Sequence, residues 1–95
     1  MLELHNELPS RLFKELVAAG SVTNVVIVGT GSGLVVVLRV GMNDRVLGAT
    51  RGGPRYFQSI DGAASVLQQA GIRTFNVNTT NWTPKTLKIK NATLL

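Results

Sequence analysis

The stretch VTNVVIVGTGSGLVVVLRV, residues 22–40, decides the fold. Val22–Val28 is short and rich in β-branched residues, so it reads as a strand. Gly29–Gly33 is a glycine loop, and Leu34–Val40 is a second strand, which makes the pair a hairpin. The second strand is apolar at nearly every position. A strand with one wet face alternates, so this one reads as central and covered on both faces. In a chain of 95 residues that cover must come from helices or from a second subunit.

Outward from the hairpin, Leu12, Phe13, Leu16 and Val17 recur at helical spacing after Pro9, and Gly20 supplies the glycine that follows a helix end. The spacing predicts a helix over about 9–19. Gly41-Met42-Asn43-Asp44 is a turn, Arg45–Thr50 a third strand, Arg51–Pro54 another turn, and Arg55-Tyr56-Phe57 a short fourth strand. Ser59 is a helix N-cap with Asp61 in the first turn; Ile60, Ala63, Ala64, Leu67 and Ala70 share a face, and Gly71 closes the helix. Ile72–Val77 is a last strand, with Phe75 and Val77 pointing inward. The expected architecture is one α+β domain over residues 1–83, in the order α-β-β-β-β-α-β, with an antiparallel sheet and two helices. A basic, flexible tail occupies 84–95.

Composition narrows the function. The chain carries +5 at pH 7. Residues 45–95 hold Arg45, Arg51, Arg55, Arg73, Lys85, Lys88 and Lys90 against Asp61 alone, a balance of 7 − 1 = +6. Residues 1–44 hold Arg11, Lys14 and Arg39 against Glu3, Glu7, Glu15 and Asp44, a balance of 3 − 4 = −1. Such asymmetry is the footprint of a protein that meets a polyanion, and also of an ordinary solvated surface. There is no cysteine, which removes disulfides and thiolate metal sites and fits a reducing cytoplasm. The first residues lack the basic start and apolar run of a secretory signal, and no apolar run is long enough for a membrane span.

Catalytic chemistry is thinly supplied. Gly29–Gly33 fails as a phosphate loop: the sixth position of a dinucleotide fingerprint is Leu34, no Gly-Lys-Ser/Thr follows, and a strand rather than a helix comes next. His5 is the single histidine and lies near a terminus. No nucleophile, base and orienter assemble from the sequence, so the chain reads as a non-enzyme without cofactor or metal. The candidate site is a nucleic-acid contact. Arg45 and Arg55 flank a hairpin whose tip begins at Arg51, and guanidinium forks suit phosphates. Gly52 and Gly53 would let backbone amides approach the same anion. Tyr56 or Phe57 could stack on a base, though only one of the two faces out, and Phe57 reads as core. Arg73 and the tail lysines Lys85, Lys88 and Lys90 would extend the patch. The bland alternative makes these arginines edge charges that discourage aggregation.

Several stretches carry a resemblance. They are Leu16–Val22, Val40-Gly41-Met42, Arg45–Ala49, Arg51-Gly52, Arg55-Tyr56-Phe57, Asp61–Ala64, Leu67, Gly71-Ile72 and Phe75-Asn76-Val77. Together they resemble the ParC-family partition-associated proteins of plasmids, which are distinct from the topoisomerase subunit of that name. The resemblance implies a role in plasmid maintenance or in a mobile element, in the bacterial cytoplasm. It carries no catalytic residues over. The strand-strand-strand-helix order from Leu34 to Gly71 is also similar to the three-stranded DNA-reading domains of phage integrase arms and plant ethylene-response factors, an analogy of fold order alone. The expected function is a plasmid-partition accessory protein binding DNA through a basic sheet face. The alternative is an interaction adaptor that dimerises, or binds a partition ATPase or another partner, without touching DNA.

Overall fold

In a computed structural model of the chain, which describes residues 7–87, the stretch 22–40 is the expected hairpin. The elements are β1 (Glu7–Leu8), α1 (Ser10–Ala18), β2 (Val22–Thr30), β3 (Gly33–Val40), β4 (Asn43–Leu47), α2 (Ile60–Gln69) and β5 (Asn76–Asn78). They build a small α+β domain around one sheet of order β1-β4-β3-β2-β5, with β3 at its centre. Among the described residues, no helix is long and apolar enough to cross a membrane.

Only Gly31 and Ser32 form the loop of the β2–β3 hairpin, since Thr30 pairs with Gly33. The Thr30 hydroxyl donates to Gly33 O at 2.8 Å and accepts from Ser32 N at 3.1 Å, so the turn is held by a side chain. Gly29 therefore lies inside the strand. Trp82 packs directly on the space where a Cβ at Gly29 would stand, so glycine is needed there for close approach.

Both helices end alike. Gly20 has φ +74 and Gly71 φ +95. Gly20 N donates to Val17 O and Ser21 N to Leu16 O; Gly71 N donates to Gln68 O and Ile72 N to Leu67 O. These paired bonds satisfy the last carbonyls of each helix and need a left-handed residue, which glycine adopts without strain. The Ser59 side chain accepts from Gly62 N at 3.0 Å and caps α2 as expected.

The helices pack on one side of the sheet. Phe13, Ala63 and Leu67 form a single buried cluster with Leu8, Val25, Ile27, Leu34, Val36, Leu38, Leu47 and Phe57. Register explains the membership, because Val25 pairs with Leu38 and Ile27 with Val36, and directly paired residues share a face. The opposite parity gives a second set of valines, Val26, Val28, Val35, Val37 and Val46. Val35 and Val46 are only 1% exposed yet lie outside the helix-side cluster. On the second parity Val35 is out of water and Val37 half-buried, so the helical cover expected from the unbroken apolar run is present on one face only among the described residues.

Three expectations are corrected, and one strand is added. The sheet is mixed, because β1 pairs parallel with β4 and β5 parallel with β2. β3 alone runs against the other four strands. The cause is connectivity: each edge strand is joined to the meander through a helix, and a helical crossover allows parallel strands where a tight turn cannot. Glu7–Leu8 is a strand, placing Leu8 fully in the core. The third strand stops at Leu47, and Arg55-Tyr56-Phe57 is not a regular strand: only isolated bridges join Gly48 with Pro54 and Leu34 with Phe57. Positive φ at Gly52 (+95) and Gly53 (+76) bends the chain away from a regular ladder, and Pro54 has no N–H to give one. The last strand begins at Asn76, because Ile72 is tied back to α2 by its bond to Leu67 O. Phe75 is half-buried, while Val77, on the parity of Ile27, remains 41% exposed at the sheet edge.

The close approach at Gly29 yields a stability prediction. Gly29→Ala drives a Cβ into the Trp82 backbone and side chain and should cost about 1–3 kcal/mol. Gly31→Ala, with open space around its Cβ position, should stay within about 0.5 kcal/mol of wild type. Urea denaturation midpoints of the two variants check this.

Candidate nucleic-acid interface

The loop from Gly48 to Phe57 hangs from the end of the sheet at which β2 meets β3. Gly52 N donates to Ala49 O at 3.0 Å and Ala49 N to Gly53 O at 2.9 Å, closing a tight turn with Arg51 exposed at its tip. The chain then returns to the sheet. Arg55 N donates to Leu47 O at 2.9 Å, and Phe57 and Leu34 exchange two backbone bonds of 2.7 and 2.8 Å. That pairing fixes Phe57 in the core at 7% exposure and turns Tyr56 outward at 45%. The question of which aromatic faces solvent is answered in favour of Tyr56, with Phe57 as core.

Arg55 is positioned by the same pairing. Its guanidinium carbon lies 4.7 Å from the Phe57 ring centroid, a cation–π distance, and the residue is exposed. Stacking leaves the N–H edges of the fork available to an acceptor, and the ring limits the rotamers Arg55 must give up on binding. Arg51, Arg55 and Tyr56 thus come together on one loop.

The other cations are placed less uniformly. Lys85 is exposed and follows Trp82, which packs on Gly29 at the same end of the sheet as Leu34 and Phe57. Arg45 does not join the loop: it stands opposite Leu38 on β4, on the helix-covered parity, half-buried and already engaged. Arg73 is separated from the loop. Its neighbours Ile72 and Thr74 border Val22–Val25 at the far end of β2, on the β5 flank. Arg73 and Arg51 occupy diagonally opposite corners of the sheet, so Arg73 does not extend the patch. Lys88, Lys90 and His5 lie outside the described residues. The sheet surface opposite the helices carries valines, and at its margin Arg39 Nε meets Asp44 Oδ1 at 3.1 Å. Of the described basic groups, Arg51, Arg55 and Lys85 therefore gather at an end of the sheet rather than on a face of it.

A cleft of about 810 Å³ runs beside the loop, lined by Glu7, Ser10, Gly48, Thr50, Gly52 and Arg55 among others. Glu7 enters it from β1, and its Oε2 is buried with no hydrogen-bond partner. An acidic side chain so placed does not favour an anion inside the cleft. Sequence reading missed Glu7 as a neighbour of this loop. A two-residue strand is too short to show a period, and the sole signal was an apolar residue, Leu8, directly before a helix-starting proline.

A family model described as ParC-like matches residues 8–86. The chain belongs to the ParC-like family. The match begins at Leu8, the first core residue, and ends in the turn after Pro84, so it takes in both helices, the arginine loop and Lys85. It runs past Trp82, farther than the stretches that carried the resemblance in sequence. ParC-like membership suggests a partition-associated role. No curated protein and no solved structure matches the chain.

The two adjacent aromatics provide a check on this geometry. Phe57→Ala should cost about 3–5 kcal/mol, as a buried ring does, whereas Tyr56→Ala should change stability by less than about 0.5 kcal/mol. Equal losses in thermal or chemical denaturation would contradict the outward placement of Tyr56.

Proposed function

We propose that this chain is an accessory protein of plasmid partition that contacts DNA through the Gly48–Phe57 loop. The observation that carries the reading is the stacking of Arg55 on Phe57 beside an exposed Arg51 and Tyr56 on one glycine turn. Arg51 and Arg55 contact phosphates, Tyr56 lies against the sugar-phosphate edge or a base, and Lys85 adds charge from the same end of the sheet. The balance of +6 over residues 45–95 supports attraction to a polyanion at long range. The role is one of binding, with no catalytic step.

Fluorescence anisotropy with duplex DNA across a salt series tests the assignment. Wild-type affinity should fall linearly with salt on logarithmic axes. In R51A/R55A the slope should shrink by about 0.9 for each phosphate that the protein no longer neutralises. An unchanged slope in the double variant would remove the loop from the interface. Absence of wild-type binding at ~50 mM salt, where non-specific phosphate contacts already register, would favour the adaptor reading over DNA contact.

A further inference from the structure

The β5 flank of the sheet is built differently from the β4 flank. From 21 to 38 and from 74 to 84 the sequence has no ionisable side chain. Those two runs supply β2, most of β3 and β5, so in a chain of net charge +5 these strands carry no charge, and Arg73, before the start of β5, is the nearest cation in sequence. No strand lies beyond β5 among the described residues, and all three of its residues are exposed. Sheet edges are ordinarily protected by lysine, proline or a bulge, and β5 has none of these. The described residues after it do not shield it either. Trp82 N donates to Thr79 O at 3.0 Å, and the chain turns back to place Trp82 on Gly29, over the body of the sheet.

We propose that β5 is a self-pairing edge. Two copies of the chain join β5 to β5 antiparallel about a two-fold axis at Val77, making one continuous sheet from two five-stranded ones. The occupant is a second copy because the edge is complementary to itself. Asn76-Val77-Asn78 reads the same in both directions, and a two-fold contact must match a surface with its own image. About this axis Val77 meets the partner's Val77, covering a side chain that is 41% exposed in the single chain. Asn76 opposes the partner's Asn78. Thr80 N and Oγ1 donate to Asn78 Oδ1 at 3.0 and 2.6 Å, which occupies that oxygen and leaves Nδ2 to donate to the partner's Asn76. Cross-strand pairs of this kind are what stabilise antiparallel ladders. Electrostatics favours the same choice, since two cationic copies repel least where both are uncharged. The pairing leaves the arginine loop of each copy at an outer end, so it does not compete with DNA and does not depend on it.

Sedimentation of the full chain without DNA, from about 1 to about 200 µM to bracket micromolar association, tests the proposal. The mass should rise from 10.2 kDa toward twice that value. N76K/N78K sets like charges opposite each other twice across the axis and should stay monomeric throughout. N76D/N78K loses the same Asn78–Thr80 bonds but opposes a carboxylate to an ammonium at both positions, and should dimerise at least as well as wild type. Circular dichroism melting shows that each variant is folded. A wild type that is monomeric over the whole range overturns the proposal, as does a dimer that N76K/N78K leaves intact. A monomeric N76D/N78K overturns the antiparallel register.

Discussion

The structure depends on the position of β3. It is the one strand that runs against the other four, and each neighbour is placed by its backbone. β2 is folded onto it by the two-residue turn after Thr30, and β4 by the turn at Gly41-Met42. Where β4 ends, the edge of Leu34 becomes available and Phe57 takes it. Leu34, Val36 and Leu38 then form the floor on which Phe13, Ala63 and Leu67 pack. Burying each such leucine contributes about 1.5–3 kcal/mol, and a domain of this size has few to spare. The arginine loop inherits its geometry from this arrangement. Phe57 is fixed because Leu34 is fixed, Arg55 is held because it stacks on Phe57, and Tyr56 faces outward because its neighbour in sequence faces in.

Charge divides along the same lines. The strands nearest β5 are uncharged, and the exposed arginines of the loop sit at the end of the sheet away from Arg73. The small outer strands are reached through helices, so they add backbone partners to the sheet without adding charge to its β5 side. A basic end and a neutral edge on one small domain allow two kinds of contact that do not obstruct each other, one with a polyanion and one with a second copy. Arg39 and Asp44 neutralise each other across the β3–β4 turn, in an exposed pair of the kind worth at most about 1 kcal/mol, and add nothing to either surface.

Much of this was legible in the sequence, for local reasons. The hairpin, the capping by Ser59 and the helix ends at Gly20 and Gly71 depend on residues within a few positions of one another. The central position of β3 followed from its unbroken apolar run. The edge strands were not legible in the same way. Two or three residues carry no period, and whether β5 pairs parallel or antiparallel is decided by the path of α2 across the sheet. The site shows the same divide. Arg51, Arg55 and Phe57 belong to one continuous segment, so their nearness is local. That Arg45 stands apart from them depends on its register with Leu38, and that Arg73 does depends on which corner of the sheet the chain reaches after α2.

The central claim is that nucleic acid meets the loop end of the sheet and leaves the β5 flank untouched. The most direct measurement is a titration of isotopically labelled protein with duplex DNA, followed by amide chemical shifts. The account predicts changes concentrated in residues 48–57 and around Lys85, with 22–25 and 72–78 unmoved. Changes centred on Arg73 and the β5 flank, or no changes at low salt, would contradict it.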